Sequence, residues 1–257
     1  MINLARMFEE VFPKSLPVVF LHAHPDDEAF LSAGLINELL RKGRTCAVVY
    51  GAAALLANQP KTKIRQNEAK AAAGIIGLKT LVFLEFCEPQ YSAAAALPLV
   101  RQDVSRVCQA LTSALEQVGI CNQCILISYD QNGGYGNCDH KMIHSIGRSL
   151  RAVFPQFVST LYEVTLNRDR IVDWLSSAKV RLSAESLPKL AYWSQNFGLR
   201  SSEISHYFEL NSEQLKLKRN MLAAHASQMC DREFPLCLSA ADFAEVFGKE
   251  WLLSVQT

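Results

Sequence analysis

Short apolar runs alternate with longer amphipathic segments along most of the chain. Apolar runs bounded by turn residues predict buried strands, and apolar residues at helical spacing predict helices between them. The predicted strands are Pro17–Ala23, Thr45–Tyr50, Lys79–Leu84, Cys124–Ser128 and Val158–Leu166. The predicted helices between them are Glu28–Arg41, Lys63–Ile76, Leu97–Gln117 and His140–Val153.

Strands joined by helices of this length form right-handed β-α-β units. The sequence therefore predicts a Rossmann-like α/β fold with a mostly parallel sheet and flanking helices. The pattern is less regular beyond residue 166, where Arg170–Ser186 fits either a helix or an edge hairpin. A short strand at Ser205–Leu210 and a helix at Ser212–Ala226 follow. Because no repeat or biased linker divides the chain, we expect residues 1–257 to form a single domain with a C-terminal elaboration.

Charge and composition narrow the class of protein. The 257 residues include 26 Lys and Arg against 25 Asp and Glu, so no basic excess exists to neutralise phosphates, and no nucleic-acid partner is expected. The N-terminal residues lack a signal-peptide pattern, and the longest nearly uncharged stretch, Val107–Tyr129, is interrupted by Glu116. We expect a cytoplasmic protein that binds no membrane, and we leave a homo-oligomer open.

The first candidate site is the segment His24-Pro-Asp-Asp-Glu28, which follows the first strand. Ligands of parallel α/β sheets bind beyond the carboxyl ends of the strands. A cation such as Zn²⁺ accepts imidazole and carboxylate ligands together, so His24 and Asp27 are candidate metal ligands with Asp26 beside them. Acidic residues also favour the first turn of a helix without any metal, and this segment alone leaves both interpretations open.

The second candidate segment, Tyr129–His140, follows the fourth strand and contains three glycines within four residues. Glycines allow the backbone to approach a ligand closely. His140 is a candidate third metal ligand, which leaves a fourth position open as in catalytic zinc sites. Asp139 is a candidate for orienting a ligand by hydrogen bonding. A glycine-rich turn with a capping aspartate is the alternative, but two such segments on neighbouring strand ends favour a metal site.

Together the two segments resemble the paired motifs of a known family. His24-Pro-Asp-Asp-Glu28 followed by Gly133-Gly-Tyr-Gly-Asn-Cys-Asp-His140 resembles the LmbE/PIG-L deacetylases, and the Gly-Gly-Tyr-Gly lead-in is most similar to the branch that acts in mycothiol and bacillithiol synthesis. The resemblance covers most of residues 17–230, with residues 170–200 matching poorly. It implies the LmbE-like three-layer sandwich of a zinc-dependent N-deacetylase that acts on N-acetylglucosamine-containing molecules.

The resemblance also implies roles for individual residues. His24, Asp27 and His140 would bind one Zn²⁺ per chain, or another divalent ion such as Fe²⁺. Asp26 would be the general base that activates water and returns the proton to the leaving amine.

Three more positions match residues near the family's substrate. Tyr135 would donate to the developing oxyanion, Arg65 would contact substrate, and Glu88 stands where members often have an acidic residue that reaches the sugar. An exposed first-turn arginine is the alternative interpretation of Arg65.

One position departs from the family pattern. The family's second motif usually reads His-Pro-Asp-His, whereas this chain reads Asn137-Cys-Asp-His140. Asn137 can donate a hydrogen bond to an oxyanion but cannot transfer a proton. The predicted function is removal of an N-acetyl group from an N-acetylated amino sugar or small glycoconjugate. The alternatives are a zinc amidase for a non-sugar amide and a catalytically weak sugar- or metal-binding protein.

The remaining histidines and cysteines are weaker candidates. His22 is expected to face the side of the sheet opposite to His24. His144 is a candidate additional ligand, and His225 is expected to be a buried, hydrogen-bonded structural residue. Cys121-Asn-Gln-Cys124 has metal-site spacing, but core packing is expected because no second pair of this kind exists.

Overall fold

One sheet organises the molecule. The structure is a computed structural model that describes residues 1–53, 60–88, 98–178, 197–229 and 234–255. The sheet contains β1 (Ile2–Asn3), β2 (Val18–His22), β3 (Cys46–Tyr50), β4 (Thr80–Phe83), β5 (Cys124–Tyr129), β6 (Val158–Thr165), β7 (His206–Glu209) and β8 (Lys249–Val255). Their order is β1-β7-β8-β6-β5-β2-β3-β4, and the neighbouring pairs are parallel except that β8 runs antiparallel to β6 and β7.

Helices cover both faces of this sheet. They are α1 (Phe8–Val11), α2 (Asp27–Leu31), α3 (Ala33–Arg41), α4 (Pro60–Ile76), α5 (Val104–Gln117), α6 (Gly133–Gly136), α7 (Cys138–Val153), α8 (Arg168–Ala178), α9 (Ser212–Ala224) and α10 (Ala240–Phe247). Helix α9 packs on α2, α3 and α4, whereas α5 packs on α7. The β2–β3 crossover and the β5–β6 crossover run toward opposite edges of the sheet. Because both are right-handed, the two groups of helices lie on opposite faces and form a three-layer sandwich.

The predicted α/β fold with a mostly parallel sheet is confirmed, and all six predicted strands are present, with Ser205–Leu210 observed as β7 (His206–Glu209). The predicted helix Glu28–Arg41 is instead two helices, because the backbone of Ser32 (φ −139°) leaves the helical region. The predicted helix Leu97–Gln117 begins only at Val104, where the Asp103 side chain accepts the Ser105 N–H and caps it.

The C-terminal region contains elements that the sequence pattern did not predict. Helix α8 resolves the choice for the start of Arg170–Ser186 in favour of a helix, and residues 179–186 lie outside the described residues. Helix α10 and strand β8 follow α9, and β8 inserts between β6 and β7. Its sequence, Lys249-Glu-Trp-Leu-Leu-Ser-Val255, has no regular alternation of apolar and polar residues, so period-two analysis misses it.

The centre of the sheet brings the two candidate segments together. Every residue of β2, β3 and β5 is buried, as in parallel strands covered by helices on both faces. Strand β2 pairs with both β3 and β5, so it lies at the switch point of the sheet, where α/β proteins bind ligands. The segments that follow β2 and β5 therefore meet at one edge.

A buried ion pair ties β8 to the rest of the fold. The Glu250 carboxylate accepts the backbone N–H groups of Gly34 and Leu35 at 2.9 and 2.8 Å, in the first turn of α3. It also accepts the Lys218 Nζ of α9 at 2.7 Å, and both side chains are buried. One carboxylate thus caps a helix and neutralises a buried ammonium group.

We expect Glu250→Gln to lower the free energy of unfolding by about 3 kcal/mol, because it leaves the buried Lys218 charge unpaired. Denaturant unfolding followed by circular dichroism measures this change. The matched control is Glu209→Gln, which removes an exposed ion pair with Lys249 on the neighbouring strand and is expected to change stability by less than about 1 kcal/mol. Equal effects of the two substitutions would contradict the assignment.

Candidate functional site

Three side-chain atoms from the two segments form a small triangle. His24 Nδ1 lies 3.2 Å from His140 Nε2, and Asp27 Oδ2 lies 3.4 and 3.2 Å from these two nitrogens. All three residues are buried. Ligand atoms of a tetrahedral zinc ion, with bonds of about 2.1 Å, lie about 3.4 Å apart. The triangle therefore has the dimensions of one face of a zinc site.

Hydrogen bonds on the far sides of the two rings fix their tautomers. His24 Nε2 lies 3.2 Å from Asp139 Oδ2, and His140 Nδ1 lies 3.0 Å from the Gly133 carbonyl oxygen. Since these oxygens accept hydrogen bonds, each ring carries its proton there and directs its other nitrogen's lone pair into the triangle. When both rings are neutral, two lone pairs and a carboxylate oxygen converge on one point. A cation satisfies this donor set, so the residues fit a bound divalent metal.

The electrostatics of the cluster also favour a positive charge. Burial opposes a charge on the His24 ring, but hydrogen bonds to Asp139 and Asp27 raise its pKa to about 10. Burial also disfavours the charged form of Asp27, but His140 and His24 hold the pKa of this carboxyl well below its usual range. The negative surroundings that favour a proton on His24 would also favour a metal ion, and binding of the metal would displace that proton.

Asp26 stands beside the cluster in an unusual backbone conformation. Its φ is +129°, and no other non-glycine residue in the described ranges has a positive φ. Its carboxylate Oδ2 lies 3.8 Å from the Arg65 guanidinium. Burial, followed by the charge of Asp27, raises the pKa of Asp26 to about 7. Such a carboxyl group can both accept and return a proton near neutral pH.

The glycine-rich loop is held from two directions. The Asp130 Oδ1 accepts the N–H of Asn132 at 2.7 Å and of Gly134 at 3.3 Å. From the other side, the Gly198 N–H donates to the Gly134 carbonyl oxygen. These bonds fix the loop whose Gly133 carbonyl orients the His140 ring.

We expect Gly133→Ala to weaken zinc binding about 10- to 100-fold, because orienting contacts around metal ligands have effects of this size. A Cβ at Gly133 (φ +61°) would lie 2.8 Å from the His140 Cβ and 3.0 Å from the Lys141 nitrogen. Zinc affinity measured by chelator competition tests this. Gly134→Ala is the matched control, since Gly134 has φ +65° and no atom within 4 Å of its Cβ position. Equal affinities in both variants would show that His140 is not sensitive to this contact.

The three residues predicted to lie near the substrate are close to the triangle and Asp26: Tyr135, Arg65 and Glu88. The Tyr135 hydroxyl donates to Asp27 Oδ1 at 3.3 Å and lies 3.4 Å from His140 Nε2. The Arg65 guanidinium forms an ion pair with Glu88 and donates to the Pro25 carbonyl oxygen at 3.1 Å. Arg65 is buried, so the interpretation of it as an exposed first-turn arginine is wrong.

Asn137 has a structural contact that the motif comparison did not predict. Its side chain is the N-cap of α7, where Oδ1 accepts the N–H of Asp139 at 2.8 Å and of His140 at 3.4 Å. Asn137 therefore fixes the backbone of Asp139, which contacts His24, and of His140, which belongs to the triangle. Capping preferences of asparagine were the available signal for this role.

The other histidines lie outside the triangle. His144 Nδ1 lies 3.0 Å from both the Tyr129 carbonyl oxygen and Glu163, and His144 is not part of the triangle. The expected orientation of His22 is wrong. Its Nδ1 lies 3.2 Å from the hydroxyl of Tyr129, whose ring stacks on His140 at 4.1 Å, because residues two apart on an extended chain point to the same side.

His225 and the Cys121–Cys124 pair also lie outside the triangle. His225 is buried against Glu28, as expected of a hydrogen-bonded structural histidine, with Nε2 2.7 Å from Oε1. The Cys121-Asn-Gln-Cys124 pair does not form a metal cluster among the described residues, and Cys124 is buried in β5. No helix in the described part of the chain has the length and apolar character needed to cross a membrane.

A buried His–Asp–His set at the switch point of an α/β sheet, with a further carboxylate beside it, has the ligands, the position and the proton acceptor that a metal-dependent hydrolase needs. The sequence profile of the family described as "PIG-L: GlcNAc-PI de-N-acetylase" matches residues 19–151, just over half of the chain. The chain belongs to this family, whose members hydrolyse N-acetyl amide bonds, and the resemblance seen in the motifs is confirmed.

Characterised relatives and solved structures agree with this assignment. The chain is 24% identical over 244 residues to the 1D-myo-inositol 2-acetamido-2-deoxy-alpha-D-glucopyranoside deacetylase of Mycolicibacterium smegmatis, covering 82% of this chain and 80% of the relative. The fold of the present chain matches that of the N,N'-diacetylchitobiose deacetylase of Pyrococcus horikoshii (TM-score 0.58, 15% identity), covering 99% of this chain and 94% of the other. It also matches a deacetylase of teicoplanin biosynthesis (TM-score 0.60, 12% identity, 93% and 99% covered).

Proposed function

We propose that this protein is a metal-dependent N-deacetylase that acts on an N-acetylated amino sugar or a small conjugate of one. The observation that carries the proposal is the His24–Asp27–His140 triangle, with its converging lone pairs and Asp26 beside it. Family membership supports hydrolysis of an N-acetyl amide as the reaction.

His24, Asp27 and His140 would hold a single divalent ion. Their mixed nitrogen and oxygen donors suit Zn²⁺ and also Fe²⁺. When bound, such an ion supplies Lewis-acid polarisation of an amide carbonyl and makes a water molecule more acidic. Asp139 would keep the His24 ring in the tautomer that binds the ion, through its 3.2 Å hydrogen bond.

Asp26 would carry the proton through the reaction. Its carboxylate takes a proton from the attacking water as the water oxygen bonds to the acetyl carbonyl carbon. When the carbon–nitrogen bond breaks, the same carboxyl returns the proton to the leaving amine, so acetic acid and an amine form and are released as acetate and an ammonium group at neutral pH. A pKa raised to about 7 by burial and by Asp27 suits both steps.

Tyr135 and Asn137 would stabilise the negative charge on the acetyl oxygen. The Tyr135 hydroxyl lies 3.3 Å from Asp27, at the edge of the triangle where an amide carbonyl would arrive. Because the Asn137 Oδ1 caps α7, the NH₂ group is the part of this side chain that would donate to the oxyanion. Preorganised donors of this kind stabilise developing charge without reorganisation.

Arg65 and Glu88 would bind the substrate. Their ion pair places charge-assisted donors and acceptors next to Asp26, and sugar hydroxyls hydrogen-bond to such groups. The Mycolicibacterium relatives, by their names, act on an N-acetylglucosamine linked to inositol. This supports a small glycoside of N-acetylglucosamine as the substrate class.

Acetate release from a panel of acetamides tests the proposed substrate class. N-acetylglucosamine, its inositol glycoside and a non-sugar acetamide would be compared at equal concentration with the zinc-loaded protein. We expect kcat/KM to be highest for the N-acetylglucosamine compounds. A preference for the non-sugar amide would favour a zinc amidase, and zinc binding with no turnover of any compound would favour a sugar- or metal-binding protein.

Asn137→Ser separates the two roles assigned to Asn137. Serine caps helices about as well as asparagine, so we expect stability within about 0.5 kcal/mol of wild type. Loss of the amide donor is expected to lower kcat by about 10²-fold, the effect of removing one oxyanion donor. Thermal unfolding and steady-state kinetics measure the two effects. A wild-type kcat in this variant would show that Asn137 acts only as a cap.

A further inference from the structure

The conformation of Asp26 requires support from its surroundings. A φ of +129° lies outside the regions that residues with a side chain ordinarily adopt, and such strain persists only where neighbouring groups hold it. The Asp26 carbonyl oxygen accepts the Phe30 N–H at 3.1 Å, which is an ordinary bond of the first turn of α2. The contact that an ordinary first turn lacks is the one made by the Asp26 N–H group.

That N–H donates to the side chain of Glu28. The distance from the Asp26 nitrogen to Glu28 Oε2 is 3.0 Å. Glu28 is itself buried, and its second oxygen, Oε1, lies 2.7 Å from His225 Nε2. Both carboxylate oxygens of Glu28 are therefore engaged, one by the strained residue and one by a histidine from the far end of the chain.

His225 is held firmly in turn. It follows the last residue of α9, its N–H donates to the Leu222 carbonyl oxygen, and its carbonyl oxygen accepts the N–H groups of Gln228 and Met229. In the same turn, Ser227 donates its N–H and hydroxyl to Glu68 of α4 at 2.8 and 2.7 Å. The turn that carries His225 is thus tied to the helix beside the site.

We propose that Glu28 and His225 are positioning residues for Asp26. Glu28 holds the Asp26 N–H, His225 holds Glu28, and together they keep the Asp26 backbone in the conformation that sets its carboxylate beside Asp27 and Arg65. Neither residue contacts the reacting atoms. The proposal rests on the proposed function for the catalytic role of Asp26, but not for the conformation itself.

Glu28→Gln and Glu28→Leu form the central comparison. The glutamine amide oxygen can still accept the Asp26 N–H while its NH₂ group donates to a neutral His225, whereas leucine can do neither. We expect Glu28→Leu to lower kcat by about 10- to 100-fold, the loss typical of a displaced catalytic group, with KM and zinc content unchanged. Glu28→Gln is expected to restore most of the wild-type kcat.

Glu163→Leu is the matched control. Glu163 is likewise a buried glutamate paired with a histidine, His144, and with Arg148, but it has no bond to Asp26. We expect this variant to lose stability and to keep the wild-type kcat. If it lowers kcat as much as Glu28→Leu does, the loss is a general effect of a disturbed core and the proposal fails.

Crystal structures of the two Glu28 variants give a readout that does not depend on activity. We expect the positive φ of Asp26 to be kept in Glu28→Gln and lost in Glu28→Leu. An unchanged φ in Glu28→Leu overturns the proposal, and so does loss of zinc from that variant, since the effect would then act on the metal ligands. If Glu28→Leu does not fold, His225→Leu replaces it with the same criteria for φ, kcat and zinc.

These experiments distinguish a failure of the proposed function from a failure of the positioning proposal. If the wild-type protein releases no acetate from any acetamide, the proposed function fails and the φ of Asp26 in the variants still decides the positioning proposal. If the wild type is active but the Glu28 variants match it in both kcat and φ, only the positioning proposal fails.

Discussion

Replacing Asp26 with asparagine is expected to lower kcat by about 10³-fold while leaving zinc content at one ion per chain. Asparagine has nearly the shape of aspartate, and its backbone N–H can still donate to Glu28. It cannot accept the proton from water or deliver one to the leaving amine, and general acid–base catalysis contributes about 10²- to 10⁴-fold. Acetate release under saturating substrate, with zinc measured on the same sample, tests this expectation.

Asp27→Asn is the informative control for this prediction. Asp27 Oδ2 belongs to the triangle, so this neighbouring substitution is expected to lower zinc content as well as activity. The Asp26→Asn and Asp27→Asn variants would then differ in their zinc content. If Asp26→Asn retained more than about a tenth of the wild-type kcat, the proton would have to be carried by another group.

His140→Ala is expected to weaken zinc binding by about 10²-fold or more and to reduce activity in proportion to the metal lost. Structural zinc sites bind with roughly 10 to 16 kcal/mol from four ligands, so one ligand accounts for roughly 3 kcal/mol, or about 10²-fold. Competition with a zinc chelator of known affinity measures the change directly.

His144→Ala provides the control from the same helix. His144 lies one turn beyond His140 on α7 but contacts Glu163 and the Tyr129 carbonyl oxygen outside the triangle. Its removal is expected to leave zinc affinity unchanged. A drop equal to that of His140→Ala would mean that α7 as a whole, and not the His140 ring, determines metal binding.

The sheet could be predicted because its central strands are continuous apolar runs. Val18–His22, Cys46–Tyr50 and Cys124–Tyr129 are buried on both faces, and burial on both faces imposes the apolar runs seen in the sequence. The break at Ser32 could not be read in this way, because the hydrophobic spacing continues across it. Strand β8 was missed for a related reason, since it pairs with β6 and β7 through a tertiary arrangement that no local pattern encodes.

Part of the candidate site could be predicted because its residues are adjacent in the sequence. His24 and Asp27 belong to one turn, and His140 follows a strand that neighbours β2. The support of Asp26 was not predictable, because Glu28 and His225 are 197 positions apart and a buried histidine has no sequence signature of its partner. The capping role of Asn137 was not predicted, because the family motif has a histidine at this position.

Activity as a function of bound metal is the most direct test of the central claim. Protein stripped of metal with a chelator would be titrated with Zn²⁺ while acetate release from N-acetylglucosamine is measured. The account predicts almost no activity in the stripped protein and a linear recovery that ends at one zinc ion per chain, whereas His140→Ala would need about 10²-fold more free zinc for the same fractional recovery. Full activity in the stripped protein, or equal recovery in His140→Ala, would contradict a metal-dependent deacetylase built on this triangle.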